Sequence, residues 1–178
     1  FTGFNLSTTK ILLSAAYGYT TENGHNFRVG IQPGIVWRQS KIAGQTFPSQ
    51  WEYDQGDFTR PNNNENSLNP SFTEFDVDLG LQWSKTFGKS TAKIGYAANH
   101  LNMPKDSYFN QFKDRLRIRH VTHAELDFRA NEKLTLQPKL LWMWTAKAND
   151  MVGGVNVKYK LPNKTVTHVS VGAFYRAG

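Results

Sequence analysis

The sequence predicts an all-β chain: a transmembrane, antiparallel, up-and-down β-barrel with about eight strands in its 178 residues. Three observations lead there. Between Thr73 and Leu101, Phe75, Val77, Leu79, Leu81 and Trp83 alternate with Asp76, Asp78, Gly80, Gln82 and Ser84. The alternation resumes after Gly88-Lys89-Ser90 with Ala92, Ile94, Tyr96 and Ala98 against Lys93, Gly95, Ala97 and Asn99. Successive strand side chains point to opposite faces, so this is a hairpin with one apolar face and one polar, glycine-rich face. Each arm is about as long as the 9–11 residues a strand needs to cross a bilayer. Finally, aromatic residues gather toward both ends of the apolar face, where interfacial rings belong.

Composition agrees. Hydrophobic residues make up 39% and the mean hydropathy is -0.55. Runs such as Ile11–Leu13 and Leu140–Trp144 fall far short of the ~18 residues of a spanning helix, whereas a barrel needs apolar residues only at alternate positions. There is no cysteine, which excludes disulfides and thiolate metal sites and fits a bacterial envelope protein. The formal net charge of +7 is not concentrated in a basic arm or helix. Arg28, Arg38, Lys93, Arg119, Lys139, Lys158 and Arg176 lie singly within strands near the polar face, so nucleic acid is not expected as a partner. No leader is visible at Phe1. The expectation is a single barrel domain over residues 1–178, in a sequence that begins after processing or is a piece of a longer protein.

The first strand is expected over Thr9–Thr20 and turns at Asn23-Gly24. Phe27–Arg38 returns, with Pro33 on the apolar parity. Proline cannot donate to a ladder, so a bulge or a local break in pairing is expected there. Lys41–Phe72 is a long polar connection containing Trp51, Tyr53 and Phe58 and the run Asn62–Asn66. A loop of this length is a candidate for partner contact. After the central hairpin, Asn102–Leu116 is a second long connection with Tyr108, Phe109 and Phe112. Arg117–Phe128 and Lys133–Thr145 are strands, the latter interrupted by Pro138. Asp150–Lys160 and Val166–Arg176 form the last pair. No helix signal is present.

Both long connections fall at one end of the strands. In outer-membrane barrels the short turns face the periplasm and the long loops face outside. Tyr17, Tyr19, Phe27, Trp83, Phe128 and Tyr159 lie toward the short-turn end, and Trp37, Phe75, Trp142 and Trp144 toward the other.

His123, Glu125 and Asp127 share one strand face, the inner one, with Arg119; Asp76 and Asp78 have inward parity on a nearby strand. A histidine with two carboxylates can bind a metal. The same residues can form an interior ion-pair network that fixes a barrel wall, and this is the reading adopted because polar interiors are routine in such barrels. Ser14, Ser84 and Ser170 lie in no nucleophile motif, so no catalytic residue is assigned.

Several segments in order resemble the PorP/SprF family: Ala15-Ala16-Tyr17, the run Phe27–Trp37, the run Phe75–Leu81, Asn99-His-Leu-Asn-Met-Pro-Lys-Asp-Ser107, Arg119-His-Val-Thr-His123, Lys133-Leu-Thr-Leu-Gln-Pro138 and Gly172-Ala-Phe-Tyr-Arg176. The Asn-His-Leu-Asn-x-Pro segment carries most of the likeness. The resemblance implies an outer-membrane barrel of Bacteroidota that works with the type IX secretion system in export or anchoring of surface adhesins, including gliding adhesins. Its implied partners are a secreted adhesin or translocon proteins, with membrane lipid and lipopolysaccharide around the barrel. It implies no cofactor and no catalytic residue, and, because family members are longer, it implies that this chain is a fragment of a larger barrel. Partner contact is expected at Trp51, Tyr53, Phe58, Tyr108, Phe109 and Phe112. A diffusion porin is the alternative reading, and a membrane-embedded hydrolase built on the His123 cluster is a third.

Overall fold

The computed structural model describes residues 5–41, 48–58, 71–107, 114–146, 148–162 and 167–178. The described residues are almost all antiparallel β-structure, as the alternation predicts. Eleven strands occur among the described residues: β1 (Asn5–Leu12), β2 (Ala15–Thr20), β3 (His25–Lys41), β4 (Trp51–Glu52), β5 (Asp57–Phe58), β6 (Ser71–Phe87), β7 (Ser90–Asn99), β8 (Arg119–Arg129), β9 (Leu134–Thr145), β10 (Ala148–Lys160) and β11 (His168–Ala177). The one helical element among the described residues is the short 3-10 turn Pro48–Gln50. Nine strands form one sheet in the order β1-β3-β6-β7-β8-β9-β10-β11, with β2 also paired to β3. Consecutive long strands are neighbours, which is up-and-down topology and is consistent with a β-barrel fragment. No pairing between β1 or β2 and β11 closes the sheet among the described residues.

Two compact units are present. One comprises Phe1–Leu12, Gly34–Asp76 and Met103–Leu116; the other comprises Leu13–Pro33, Val77–Asn102 and Arg117–Gly178. The first contains the β1–β3 ladder from Asn5↔Lys41 to Leu12↔Gly34. The second contains β7 to β11 and the ladders that join each to the next.

Pro33 explains the division of the expected first strand. The expected first strand is divided, with Leu13 and Ser14 outside both β1 and β2. Pro33 stands opposite this gap. Leu13 N still donates to the Pro33 carbonyl at 3.0 Å, but Pro33 has no N–H to return. Pairing resumes at Ala15↔Ile31 with no residue inserted on either strand, so this is a local break and not a bulge. Pro138 repeats the device. β8 and β9 pair at Glu125↔Lys139 and again at Phe128↔Leu136, leaving Leu126 and Asp127 without ladder partners on β9. In both places the glutamine before the proline spans the gap. Gln32 Nε2 donates to Ser14 Oγ at 2.5 Å, and Gln137 Nε2 to Asp127 Oδ1 at 2.5 Å. A side-chain bond thus stands near each lost ladder bond.

Short turns follow their sequences. Gly88, at φ +57°, occupies the first central position between the paired Phe87 and Ser90, as a type II′ turn requires. Asn131 Oδ1 accepts from the Lys133 and Leu134 amides at 2.9 and 2.8 Å and shapes the β8–β9 connection. The Asn99–Asn102 segment ends β7 and ties it back to β6. His100 N donates to Asp78 Oδ1 at 2.9 Å, Leu101 N to the Val77 carbonyl at 3.0 Å, and Val77 N to Asn102 Oδ1 at 3.2 Å.

The faces of the sheet are inverted relative to a soluble sandwich. Only two aliphatic side chains among the described residues are buried, Val36 (3% exposed) and Ala98 (7%). Leu81, Ile94, Leu140, Val155, Val171 and Tyr175, all on the apolar parity, are exposed. A water-soluble domain rarely leaves so much contiguous apolar surface uncovered, whereas a membrane strand wall presents it to lipid.

Candidate functional site

The polar face of β7, β8 and β9 carries an ionic ladder. Register places Lys93 beside Glu125 and Glu125 beside Lys139. Lys93 Nζ donates to Glu125 Oε1 at 3.2 Å, and Lys139 Nζ lies 3.3 Å from Glu125 Oε2, so one carboxylate is shared by two ammonium groups. Lys93 also reaches Asp127 Oδ2 at 3.4 Å, and Gln137 binds the other oxygen of Asp127. These side chains are only 22–35% exposed, so the pairs are partly sheltered from solvent. Sequence parity puts Glu125 and Asp127 on this face but does not identify their partners, because the register between strands is not written in either strand alone.

His123, Asp78 and Arg119, also expected in this network, have other surroundings. His123 lies over Gly95, where an added β-carbon would collide with the imidazole ring. Glycine is needed there for the close approach of the ring, not for a special backbone angle. His123, Glu125 and Asp127 do not converge as a metal-sized cluster among the described residues. Asp78 holds the turn after β7 through the His100 amide. Asp76 is buried at 3% exposure. Arg119 lines a separate cavity of about 610 Å³ with Trp144, Asp150 and Arg176. There Arg176 grips Asp150 through two hydrogen bonds, Nε–Oδ1 at 2.9 Å and Nη2–Oδ2 at 2.7 Å. This two-toothed geometry is the strong form of an ion pair.

The apolar face has its own order at both ends. Toward the short turns, Tyr17, Tyr19, Phe27, Val29, Leu81, Ile94 and Tyr96 line an apolar groove of about 400 Å³. Trp83 Nε1, also in this wall, donates to His25 Nδ1 at 3.1 Å. Farther along β7–β9, Tyr96, His120, Trp144 and Trp142 make a continuous aromatic row. Tyr96 Oη lies 2.6 Å from His120 Nδ1, His120 stacks on Trp144 at 5.0 Å, and Trp142 meets Trp144 at 4.4 Å. Trp142 Nε1 is satisfied by Asn149 Oδ1 at 2.5 Å. Rings with a polar handle and an apolar body suit a membrane–water boundary.

The first long connection contains a small hairpin. Trp51 pairs with Phe58 and Glu52 with Asp57. The Trp51 and Phe58 rings meet edge-on at 4.9 Å. Gly56, at φ +65°, closes the turn through its amide to the Glu52 carbonyl at 2.9 Å. Tyr53 stands on that turn with 89% of its surface exposed. Two of the three aromatics therefore hold the hairpin, and the third projects from it. The base of the second connection is also paired. Lys105 bridges Arg115, Asp106 N donates to the Asp114 carbonyl at 2.9 Å, and Leu116 N to the Pro104 carbonyl at 2.9 Å. Arg38 anchors this base by an ion pair to Asp106 and also lies 5.8 Å over the Phe72 ring. Tyr108, Phe109 and Phe112, expected as partner contacts at its tip, lie outside the described residues.

Comparison with curated proteins and with solved structures gives no match. Comparison with protein-family models gives a match over residues 2–178 to the type IX secretion system membrane protein PorP/SprF. The match covers almost the whole chain, including the divided first strand, both glutamine–proline breaks and the Asn99–Asn102 turn. The chain belongs to the PorP/SprF family of type IX secretion system membrane proteins.

Proposed function

We propose that this chain forms the wall of an outer-membrane β-barrel and acts without catalysis, holding a secreted surface adhesin or a translocon protein through its long connections. The observation that carries this reading is the exposed apolar face backed by a polar face with an ionic ladder. That division suits strands between lipid and an aqueous interior. With the short turns in the periplasm, the Trp51–Phe58 hairpin stands outside the cell. Tyr53 is the contact residue, because an exposed tyrosine on a braced turn offers large area at small entropy cost. Trp51 and Phe58 order the turn that presents it.

Tyr53→Ala is expected to leave the amount of barrel in the membrane unchanged. It is expected to lower recovery of the cognate secreted protein at the cell surface by about tenfold, the scale of one lost aromatic anchor. Trp51→Ala should give the same export defect and also make the hairpin easier for protease to cleave. Normal surface recovery in Tyr53→Ala, with an altered rate of small-solute uptake, would replace this reading with the porin.

A further inference from the structure

The fold gathers basic residues that the sequence scatters. At the short-turn end of the polar face, a cavity of about 410 Å³ opens between the ends of β7 to β11. Lys89 reaches it from the β6–β7 turn, Arg129 from the end of β8, Lys133 from the β8–β9 connection, and Lys158 and Lys160 from the end of β10. Among the described residues two carboxylates line it, Asp127 and Glu132, and Asp127 is already engaged by Lys93 and Gln137. Among the described residues no ion pair neutralises any of the five cations. They stay together at the cost of mutual repulsion, which a bound anion would relieve.

We infer that this cavity docks an acidic segment of a polypeptide. Two features select that occupant. The cations are spread from the β6–β7 turn to β10, roughly 14 Å from β7 to β10 at about 4.8 Å per neighbouring pair. A single phosphate is much smaller than this span, whereas an extended acidic chain places carboxylates along all of it. The site also lies on the polar face. The neighbouring Phe87, Phe128, Leu134 and Tyr159 have the opposite parity, so a lipid headgroup held against the apolar face does not reach it. The site shares no residue with the long connections and does not rest on Tyr53 contacting a partner.

The test uses the full chain, purified in detergent, with fluorescein-labelled poly-glutamate as probe and fluorescence anisotropy as readout. Binding is expected at low salt and should weaken as salt is raised. Lys158→Glu/Lys160→Glu is expected to weaken it on the order of tenfold, because it turns attraction into repulsion at the cavity. Lys10→Glu/Arg117→Glu reverses as many exposed charges elsewhere and is expected to change affinity by less than about twofold. Inorganic phosphate at equal charge concentration should not displace the probe. If the first reversal impairs folding, Lys158→Gln/Lys160→Gln should still bind more weakly than the unmodified chain. Equal loss in both reversal variants would reduce the effect to overall charge and overturn the site. Ready displacement by phosphate would make it a small-anion site and overturn the polypeptide assignment, as would unchanged affinity in the glutamine variant.

Discussion

Leu81→Arg is expected to keep most of the chain out of the membrane, while Gln82→Arg accumulates there normally. The two positions are adjacent in β6 and point to opposite faces. Leu81 is 58% exposed on the apolar face, pairs with Tyr96 and borders the aromatic groove. An arginine on the lipid side of a barrel strand costs about 2–4 kcal/mol at the bilayer midplane and much less near the interfaces. Leu81 is several residues from either end of the 17-residue strand β6, so the upper part of that range applies. Gln82 has the polar parity, where a charged side chain faces away from lipid. Membrane fractionation and the yield of folded barrel check the pair of variants. Equal accumulation would mean that the exposed apolar face does not meet lipid.

The second large effect is expected at Glu125. Glu125→Gln removes the charge shared by Lys93 and Lys139 and leaves two ammonium groups facing a neutral side chain. Breaking a buried pair by removing one partner costs about 3–5 kcal/mol. These groups retain 22–35% exposure, so solvent and counterions screen part of the loss. A destabilisation of about 1–2 kcal/mol is expected in denaturant unfolding of the detergent-solubilised chain. Lys93 keeps Asp127, so adding Lys139→Met, which removes the other ammonium group, should recover part of it. Glu22→Gln, exposed in the β2–β3 turn, should have no measurable effect. If Glu125→Gln matches Glu22→Gln, the ladder does not hold the wall together.

The sequence showed some levels of this structure and hid others for identifiable reasons. Alternation in 73–101 assigns each side chain to a face because the strand period is two, and the faces of β6 and β7 follow directly. Pro33 and Pro138 announce interruptions because proline lacks an amide hydrogen. The division of the first strand into β1 and β2 was not legible, since its cause lies on the other strand of the pair. The same holds for Lys93 and Lys139: each is an ordinary polar-face lysine until register sets it beside Glu125. His123 illustrates the converse. Its i, i+2, i+4 spacing with Glu125 and Asp127 suggested one cluster, yet the lysines take the carboxylates and the imidazole lies over Gly95. Aromatic content marked the first long connection as a candidate surface. Only the pairing of Trp51 with Phe58 separates the residues that build the hairpin from the one that projects.

The central claim is that the apolar face meets lipid, and quenching by brominated acyl chains tests it most directly. Single cysteines at Leu81, Gln82, Val155 and Asn156, each carrying an environment-sensitive fluorophore, would be placed in bilayers of brominated and unbrominated lipid. Leu81 and Val155 share the apolar parity, and Gln82 and Asn156 the polar one. Strong quenching at Leu81 and Val155 with little at Gln82 and Asn156 is the predicted result. Equal quenching at all four positions, or the reverse alternation, would contradict the account.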